Sequence, residues 1–303
     1  MSIQVSHLSK AFGSQKAVDD ISFKVERGEI LGFLGPNGAG KTTTMRMITG
    51  YLSPDAGEIH VDGHIVKEEN TQSRSHIGYL SEQNPLYTDM YVREYLRYVA
   101  RIYHIPQPVH RIDEVIRMTG LGSESHKLIS SLSKGYRQRV GLAQAILHDP
   151  DVLILDEATS GLDPNQLIEI RQLIRELGKD KTILLSTHIM QEVQALCDRV
   201  VIISKGKIVA DGQIPMLSQM ITQQHKTKVT FSRTVFDNTL REIAGYLTHE
   251  DLGHGSYVIH GKDQHLNEAI FDFAMSKNLK ILELVTLEAN VESIFQQLTS
   301  SPS

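Results

Sequence analysis

The sequence predicts an α/β fold: a nucleotide-binding core built on a parallel sheet, followed by a smaller α+β unit. Three observations carry that expectation. The apolar run Ile30-Leu31-Gly32-Phe33-Leu34 leads directly into nine residues, Gly35 to Thr43, that read GPNGAGKTT, as a buried strand running into a phosphate-binding loop should. Val152 to Leu155, Thr182 to Ser186 and Val200 to Ile203 are continuous apolar runs, the form taken by strands covered on both faces in a parallel sheet. Beyond Pro215 the strand and helix candidates become shorter. That change places a domain boundary near residues 216 to 226, with 1–216 as the nucleotide-binding domain and 217–303 as the smaller one.

In the loop, the spacing from Gly35 through Thr42 fits G-x-x-x-x-G-K-[ST]. Along Gly35, Pro36, Asn37, Gly38, Ala39 and Gly40, the glycines let successive backbone N–H groups turn inward and cradle the β and γ phosphates of a nucleoside triphosphate. Lys41 adds a fixed positive charge, and the Thr42 hydroxyl is a candidate ligand for the Mg²⁺ that bridges the same phosphates. A helix follows from Thr43 to Ile48. Pro85 to about Ser130 reads mostly helical, within a helical subdomain of about residues 85–150. Here Tyr87, Tyr91, Tyr95 and Tyr98 recur at spacings of four, four and three, a helical stripe whose ordinary meaning is core packing.

Val152-Leu153-Ile154-Leu155 ends in Asp156-Glu157, two carboxylates delivered to a sheet edge on side chains that point in opposite directions. Phosphoryl transfer needs metal, oriented water and charge neutralisation, so Asp156 is assigned to the Mg²⁺ shell and Glu157 to polarising the attacking water. A capping acidic pair at a strand end is the plainer meaning. Ser133 and Gly135 precede a helix whose apolar positions Val140, Ala143 and Leu147 share one face, so both stand where a helix N-terminus collects anions. Ser133 also has the form of an ordinary N-cap. His188 follows the strand that ends at Ser186.

In the smaller unit, Lys228 to Phe231, Tyr257 to His260 and Lys280 to Val285 read as strands. Three apolar sets with i, i+3, i+4, i+7 spacing read as amphipathic helices. They are Leu240, Ile243, Ala244 and Leu247; Leu266, Ala269, Ile270 and Phe273; and Val291, Ile294, Phe295 and Leu298.

Composition narrows the class. A net charge of −5 gives no basic footprint for nucleic acid, which is not expected as a partner. No apolar run approaches the roughly eighteen residues of a membrane helix. The first residues, MSIQVSHLSKAF, contain no apolar core of signal-peptide length, and the single cysteine, Cys197, cannot form an internal disulfide and is expected to pack. A cytoplasmic protein is the expectation.

Leu132-Ser133-Lys134-Gly135-Tyr136-Arg137-Gln138-Arg139 resembles the signature sequence of the ATP-binding cassette (ABC) superfamily. Ser160-Gly161-Leu162-Asp163 is similar to that family's D-loop, and Ser186-Thr187-His188 to its switch histidine. Phosphate loop, signature, carboxylate strand, D-loop and histidine stand in the family's order over residues 1 to about 215. The resemblance implies a P-loop NTPase domain of ABC type, the ATPase subunit of a transporter, peripheral on the inner face of the cell membrane. Its partners would be a separate transmembrane permease and a second copy of the chain, in a head-to-tail homodimer with two ATP molecules sandwiched between subunits. The Ser133–Gly135 site of one copy would then face the phosphate loop of the other.

By the same resemblance, His188 contacts the γ-phosphate and holds Glu157 and the water in line, and Phe12 stacks on adenine, a plain core phenylalanine being the alternative. The tyrosine stripe becomes a docking surface for the permease. Lys134 and Tyr136 depart from the family's glycine and glutamine. In Ile77-Gly78-Tyr79-Leu80-Ser81-Glu82-Gln83, Glu82 takes the position of the Q-loop glutamine as a metal or water contact, unless the loop shifts by one residue and Gln83 fills it. The signature, the acidic Q-loop and the C-terminal extension resemble the exporter-type branch, including the ATP-binding subunits associated with bacterial gliding motility. The extension is expected to be an interaction or regulatory module. A soluble ABC ATPase acting on ribosomes or DNA, or an ATP-dependent assembly clamp, are the alternatives.

Overall fold

Strands with apolar side chains on both faces need cover on both faces, and the first part of the chain is arranged to supply it. The computed structural model describes residues 2–67, 71–214, 216, 225–262 and 265–287, and the chain divides into units of residues 1–213 and 214–303. In the first unit, β1 (Ile3–Phe12) and β2 (Gln15–Val25) precede β3 (Ile30–Leu34) and α1 (Lys41–Ile48). Then come β4 (Ala56–Val61), β5 (His64–Ile65), α2 (Thr71–Ser75) and β6 (Ile77–Leu80). Three helices, α3 (Val92–Ile102), α4 (Pro108–Met118) and α5 (Lys134–Ile146), lead to β7 (Val152–Asp156). The unit is completed by α6 (Pro164–Gly178), β8 (Thr182–Thr187), α7 (Met190–Leu196), β9 (Arg199–Ser204) and β10 (Lys207–Gln213).

The six-stranded sheet runs β10-β9-β3-β8-β7-β6 and is parallel except for the β10–β9 pair. Neighbouring residues along β3, β7 and β8 enter opposite cores. Leu31, Phe33, Ile154 and Leu184 pack with Ile3, Val5, Phe23 and Met45, under an antiparallel sheet of order β2-β1-β4-β5. Ile30, Leu153, Leu155, Ile183 and Leu185 pack instead with the helical side chains Leu96, Val140, Ile170 and Leu196. Each fully buried side chain of this size contributes about 1.5–3 kcal/mol, so the sheet is a stiff platform that can hold strained loops at its edge. Register then sets the site: Leu34 is paired with Thr187, and Asp156 with Ser186, so the loops after β3, β7 and β8 leave the sheet side by side.

The tyrosine stripe is corrected by the structure. Tyr91 is the N-cap of α3, its backbone N–H donating to Glu94 Oε2 at 3.3 Å, so Tyr87 and Tyr91 precede the helix. Only Tyr95 is buried; Tyr87, Tyr91 and Tyr98 are exposed, with the Tyr87 and Tyr98 rings edge to face at 5.6 Å. Core packing therefore accounts for one of the four.

In the second unit, β11 (His225–Phe231), β12 (Tyr246–Gly253), β13 (Ser256–Gly261) and β14 (Ile281–Leu287) form an antiparallel sheet of order β12-β13-β11-β14. Leu240, Ile270 and Phe273 pack on Val229, Phe231, Tyr257 and Ile259. The helix expected from Leu266 to Phe273 forms as Leu266–Ser276. The one expected from Leu240 to Leu247 does not: helix covers only Asp237–Leu240, Gly245 takes φ +74°, and Tyr246 opens β12 with Leu247 exposed. The helix stops at Leu240 with Arg241 as its C-cap, and the left-handed Gly245 then turns the chain into β12. The third set, Val291 to Leu298, lies outside the described residues.

Candidate functional site

The loop after β3 turns so tightly that two glycines are required by their neighbours. Gly40 has φ +111°, and a Cβ there would lie 2.4 Å from the Ala17 carbonyl oxygen; one on Gly35 would lie 2.5 Å from that of Ile203. Gly40→Ala is therefore expected to lower stability by about 2–4 kcal/mol, from backbone strain and overpacking together. A urea midpoint measured beside nucleotide binding checks it, and an unchanged midpoint would show that the loop relaxes.

Lys41 begins α1 and is buried, with Nζ donating to the carbonyls of Gly35 at 2.8 Å and Pro36 at 3.3 Å. Its counter-charge is Glu157, whose Oε1 stands 3.6 Å away. A cavity of ≈ 380 Å³ opens over the loop, walled by Asn37, Gly38, Gly40, Lys41, Thr42 and Thr43 together with Glu82 and Glu157. Ala39 is buried beneath, its N–H donating to the Pro36 carbonyl at 3.1 Å.

Asp156, at the end of β7, is fully buried. Its Oδ1 accepts from the Ser186 hydroxyl at 2.6 Å, while Oδ2 has no hydrogen-bond partner. Burial pushes the carboxyl above the usual range; the Ser186 and Thr42 hydroxyls oppose this, and the charge on Glu82 adds to it. An orphaned buried acceptor costs about 1–3 kcal/mol, and a hard divalent cation with oxygen ligands is the partner that would satisfy it. Thr42, Asp156 and Glu82 therefore fit Mg²⁺. Glu82 walls both the cavity over Lys41 and an adjoining cleft shared with Thr42 and Asp156, whereas Gln83 walls only the cleft.

Glu157 takes φ +52°, a left-handed backbone that costs a residue with a side chain about 1–2 kcal/mol. Its N–H donates to the Ser186 carbonyl at 3.1 Å, and the kink carries its carboxylate away from the Asp156 side to Lys41 and His188. His188 Nδ1 lies 3.1 Å from Oε1 and 2.9 Å from Oε2. Strain at this position, over-determined by three contacts, is the mark of a residue held for its chemistry.

Other expected residues are placed apart. Ser133 caps α5, its Oγ accepting from the Tyr136 N–H at 3.4 Å, and Gly135 is buried so tightly that a Cβ would lie 2.1 Å from Gln166 Oε1. Neither walls the cavity over Lys41, so one chain does not bring its signature to its own phosphate loop. Phe12 ends β1 and is 54% exposed, which removes the core reading and leaves its ring face available. Cys197 packs at the margin of the helical core, where burial pushes its thiol up. Sequence reasoning missed Ser186 as the hydroxyl that holds Asp156, although the strand register that pairs them was within reach once β7 and β8 were identified as neighbours.

Known proteins resemble this chain in sequence and in fold. The profile of the ABC transporter family matches residues 18–160. The bacitracin transport ATP-binding protein BcrA of Bacillus licheniformis is 35% identical over 306 residues, covering 98% of this chain and 96% of that protein. Nod factor export ATP-binding protein I of Paraburkholderia xenovorans is 39% identical over 213 residues, 69% of this chain and 70% of its own length. Among solved structures, the ATP-binding subunit of an ABC transporter superposes with a TM-score of 0.68 at 30% identity, over 73% of this chain and 94% of that one. A dimeric bacterial ABC transporter cassette shares the fold, with a TM-score of 0.65 at 22% identity over 70% and 98%.

Proposed function

The chain belongs to the family of ABC transporter ATP-binding subunits, and from that premise we propose that it is an ATPase powering export through a separate membrane permease. The observation that carries this is the meeting, at one sheet edge, of a buried lysine, an orphaned aspartate oxygen and a strained glutamate bonded to a histidine. On ATP binding the phosphates replace the Gly35 and Pro36 carbonyls and Glu157 as partners of Lys41. Released from Lys41, Glu157 polarises water and accepts its proton, with the His188 ring holding the carboxylate in line. Thr42, Asp156 and Glu82 would hold Mg²⁺, which would supply neutralisation of the phosphate charge. Phe12 stacks on adenine, and Ser133 and Gly135 of a second copy close over the γ-phosphate in a homodimer.

The relative named for bacitracin transport supports a transport role, and the one named for Nod factor export supports its direction. Gliding motility remains the finer alternative within the same reading, and the second unit is assigned as an interaction module. No helix among the described residues is long and apolar enough to cross a membrane; the permease is assigned as the membrane partner. Exposed Tyr87 and Tyr91, next to the Q-loop, are its docking site. The test is expression of the chain in its native cells, measuring membrane recovery and phosphate release. Wild type should be recovered with membranes and release phosphate. Tyr87→Ala and Tyr91→Ala should keep the wild-type melting temperature and lose recovery. Recovery by both variants, or a wild type that stays in the soluble fraction, would overturn the docking assignment.

A further inference from the structure

Glu192 is a fully buried carboxylate that the phosphate site leaves unexplained. It lies in α7, four residues after His188, and its two oxygens are taken by one hydroxyl from the loop after β7 and one from the end of β8. Thr159 donates to Oε1, and Thr187 donates to Oε2 at 2.6 Å. Thr159 is two residues beyond Glu157, and Thr187 immediately precedes His188. The Thr187 oxygen also accepts from the Ile189 N–H at 3.0 Å, which fixes the hydroxyl from the other side. Burying a carboxylate costs several kcal/mol, and an apolar side chain of similar volume is often as stable or more so. Packing alone therefore does not call for an acid here.

We propose that Glu192 is a positioning residue for ATP hydrolysis, clamping the loop that carries Glu157 to the loop that carries His188. Among the links between these two segments, three bear on Glu157 and His188. The first is the Glu157 N–H to the Ser186 carbonyl, a continuation of the sheet. The second is the Glu157–His188 contact itself, whose carboxylate also walls the cavity that phosphate and water enter. The third, Thr159–Glu192–Thr187, is not part of the wall of the cavity and so persists through the cycle. It keeps the carboxylate and imidazole facing each other while both engage substrate, where a misplacement of about 1 Å can cost about 100-fold in rate. Two hydroxyl donors match two carboxylate acceptors, whereas an amide can accept from one hydroxyl and must donate to the other, whose own proton then loses its buried acceptor. Glu192→Gln therefore replaces one charge-assisted arm of the clamp by a weaker, reversed one with little change in volume.

The inference rests on the hydrolytic reading, and the experiment separates the two. Phosphate release is measured for wild type, Glu192→Gln, Thr159→Val, His188→Ala and the Glu192→Gln/His188→Ala pair, with melting temperatures of each. Glu192→Gln and Thr159→Val should each lower kcat about tenfold at unchanged KM for ATP and near-native melting temperature. In the His188→Ala background, Glu192→Gln should cost nothing further, because the clamp acts through the histidine. An equal fold loss in both backgrounds, or no loss in either, would overturn it. A wild type without turnover would overturn hydrolysis instead. The clamp is then decided by nucleotide-free crystal structures, in which Glu192→Gln must widen the Glu157–His188 contact beyond hydrogen-bonding distance.

Discussion

Glu157→Gln is expected to cut phosphate release by about 10²–10⁴-fold while ATP binding is kept, the loss typical of removing a positioned general base. The amide keeps the shape of the side chain and a hydrogen-bonding oxygen toward His188, so the geometry of the edge should survive. What is lost is the charge, and that has a second consequence. In the nucleotide-free protein Glu157 stands 3.6 Å from the buried Lys41 ammonium, and both side chains are almost fully enclosed. Without the carboxylate, Lys41 keeps only the two loop carbonyls, so the empty variant should melt below wild type. A triphosphate no longer has to displace a carboxylate from Lys41, so saturating ATP should raise the melting temperature of the variant by more than it raises that of wild type. The trapped nucleotide should also hold two copies together, read as a dimer by light scattering with Mg²⁺ and ATP. Undiminished phosphate release would remove Glu157 from the role of base. A smaller ATP-dependent shift than wild type would mean that Glu157 does not compete for Lys41.

The parts of this site that were legible in the sequence are those whose chemistry depends on spacing along the chain. Gly35 to Thr43 form one loop because a strand must stop and a helix must start within nine residues, and the continuous apolar runs at β3, β7 and β8 followed from burial on two faces. β1 and β2 were not read. Their exposed positions include His7 at φ +50° and Asp20 at φ +53°, where the register slips, so the alternation that marks a one-faced strand is broken by bulges. The helix expected through Leu247 stopped at Leu240, and the left-handed Gly245 turned the rest of its apolar set toward β12; the tyrosine stripe failed because the helix begins only after its cap at Tyr91, which breaks the periodicity that spacing alone suggested. Glu82 against Gln83 was beyond the sequence, since a shift of one residue in a loop leaves no periodic trace. Glu192 was equally silent: its meaning lies in two hydroxyls brought to it from positions 33 and 5 residues away.

Asp156→Asn should move stability and activity in opposite directions. Burial raises the folded-state pKa of the Asp156 carboxyl, so the folded protein holds that proton more tightly than the unfolded chain does. Stability is therefore lost as pH rises from the unfolded value through the folded one, and the full penalty is present above the folded value. Asparagine carries no charge and still accepts from Ser186 through Oδ1, while its amide can donate to the nearby Thr42 hydroxyl, replacing an oxygen that has no partner. The nucleotide-free variant should consequently melt roughly 2–4 °C above wild type near neutral pH, the shift produced by about 1 kcal/mol in a unit of this size. The advantage should shrink toward acid pH, where the wild-type carboxyl is itself neutral. Turnover should fall at least about 100-fold at any Mg²⁺ concentration, because the charge that is costly in the empty site is the one that binds the cation. Calorimetry across pH without nucleotide, beside Mg²⁺-dependent phosphate release, reads both. A variant that melts lower than wild type and still turns over would show Asp156 to be a structural carboxylate, and would remove the cation from this edge of the sheet.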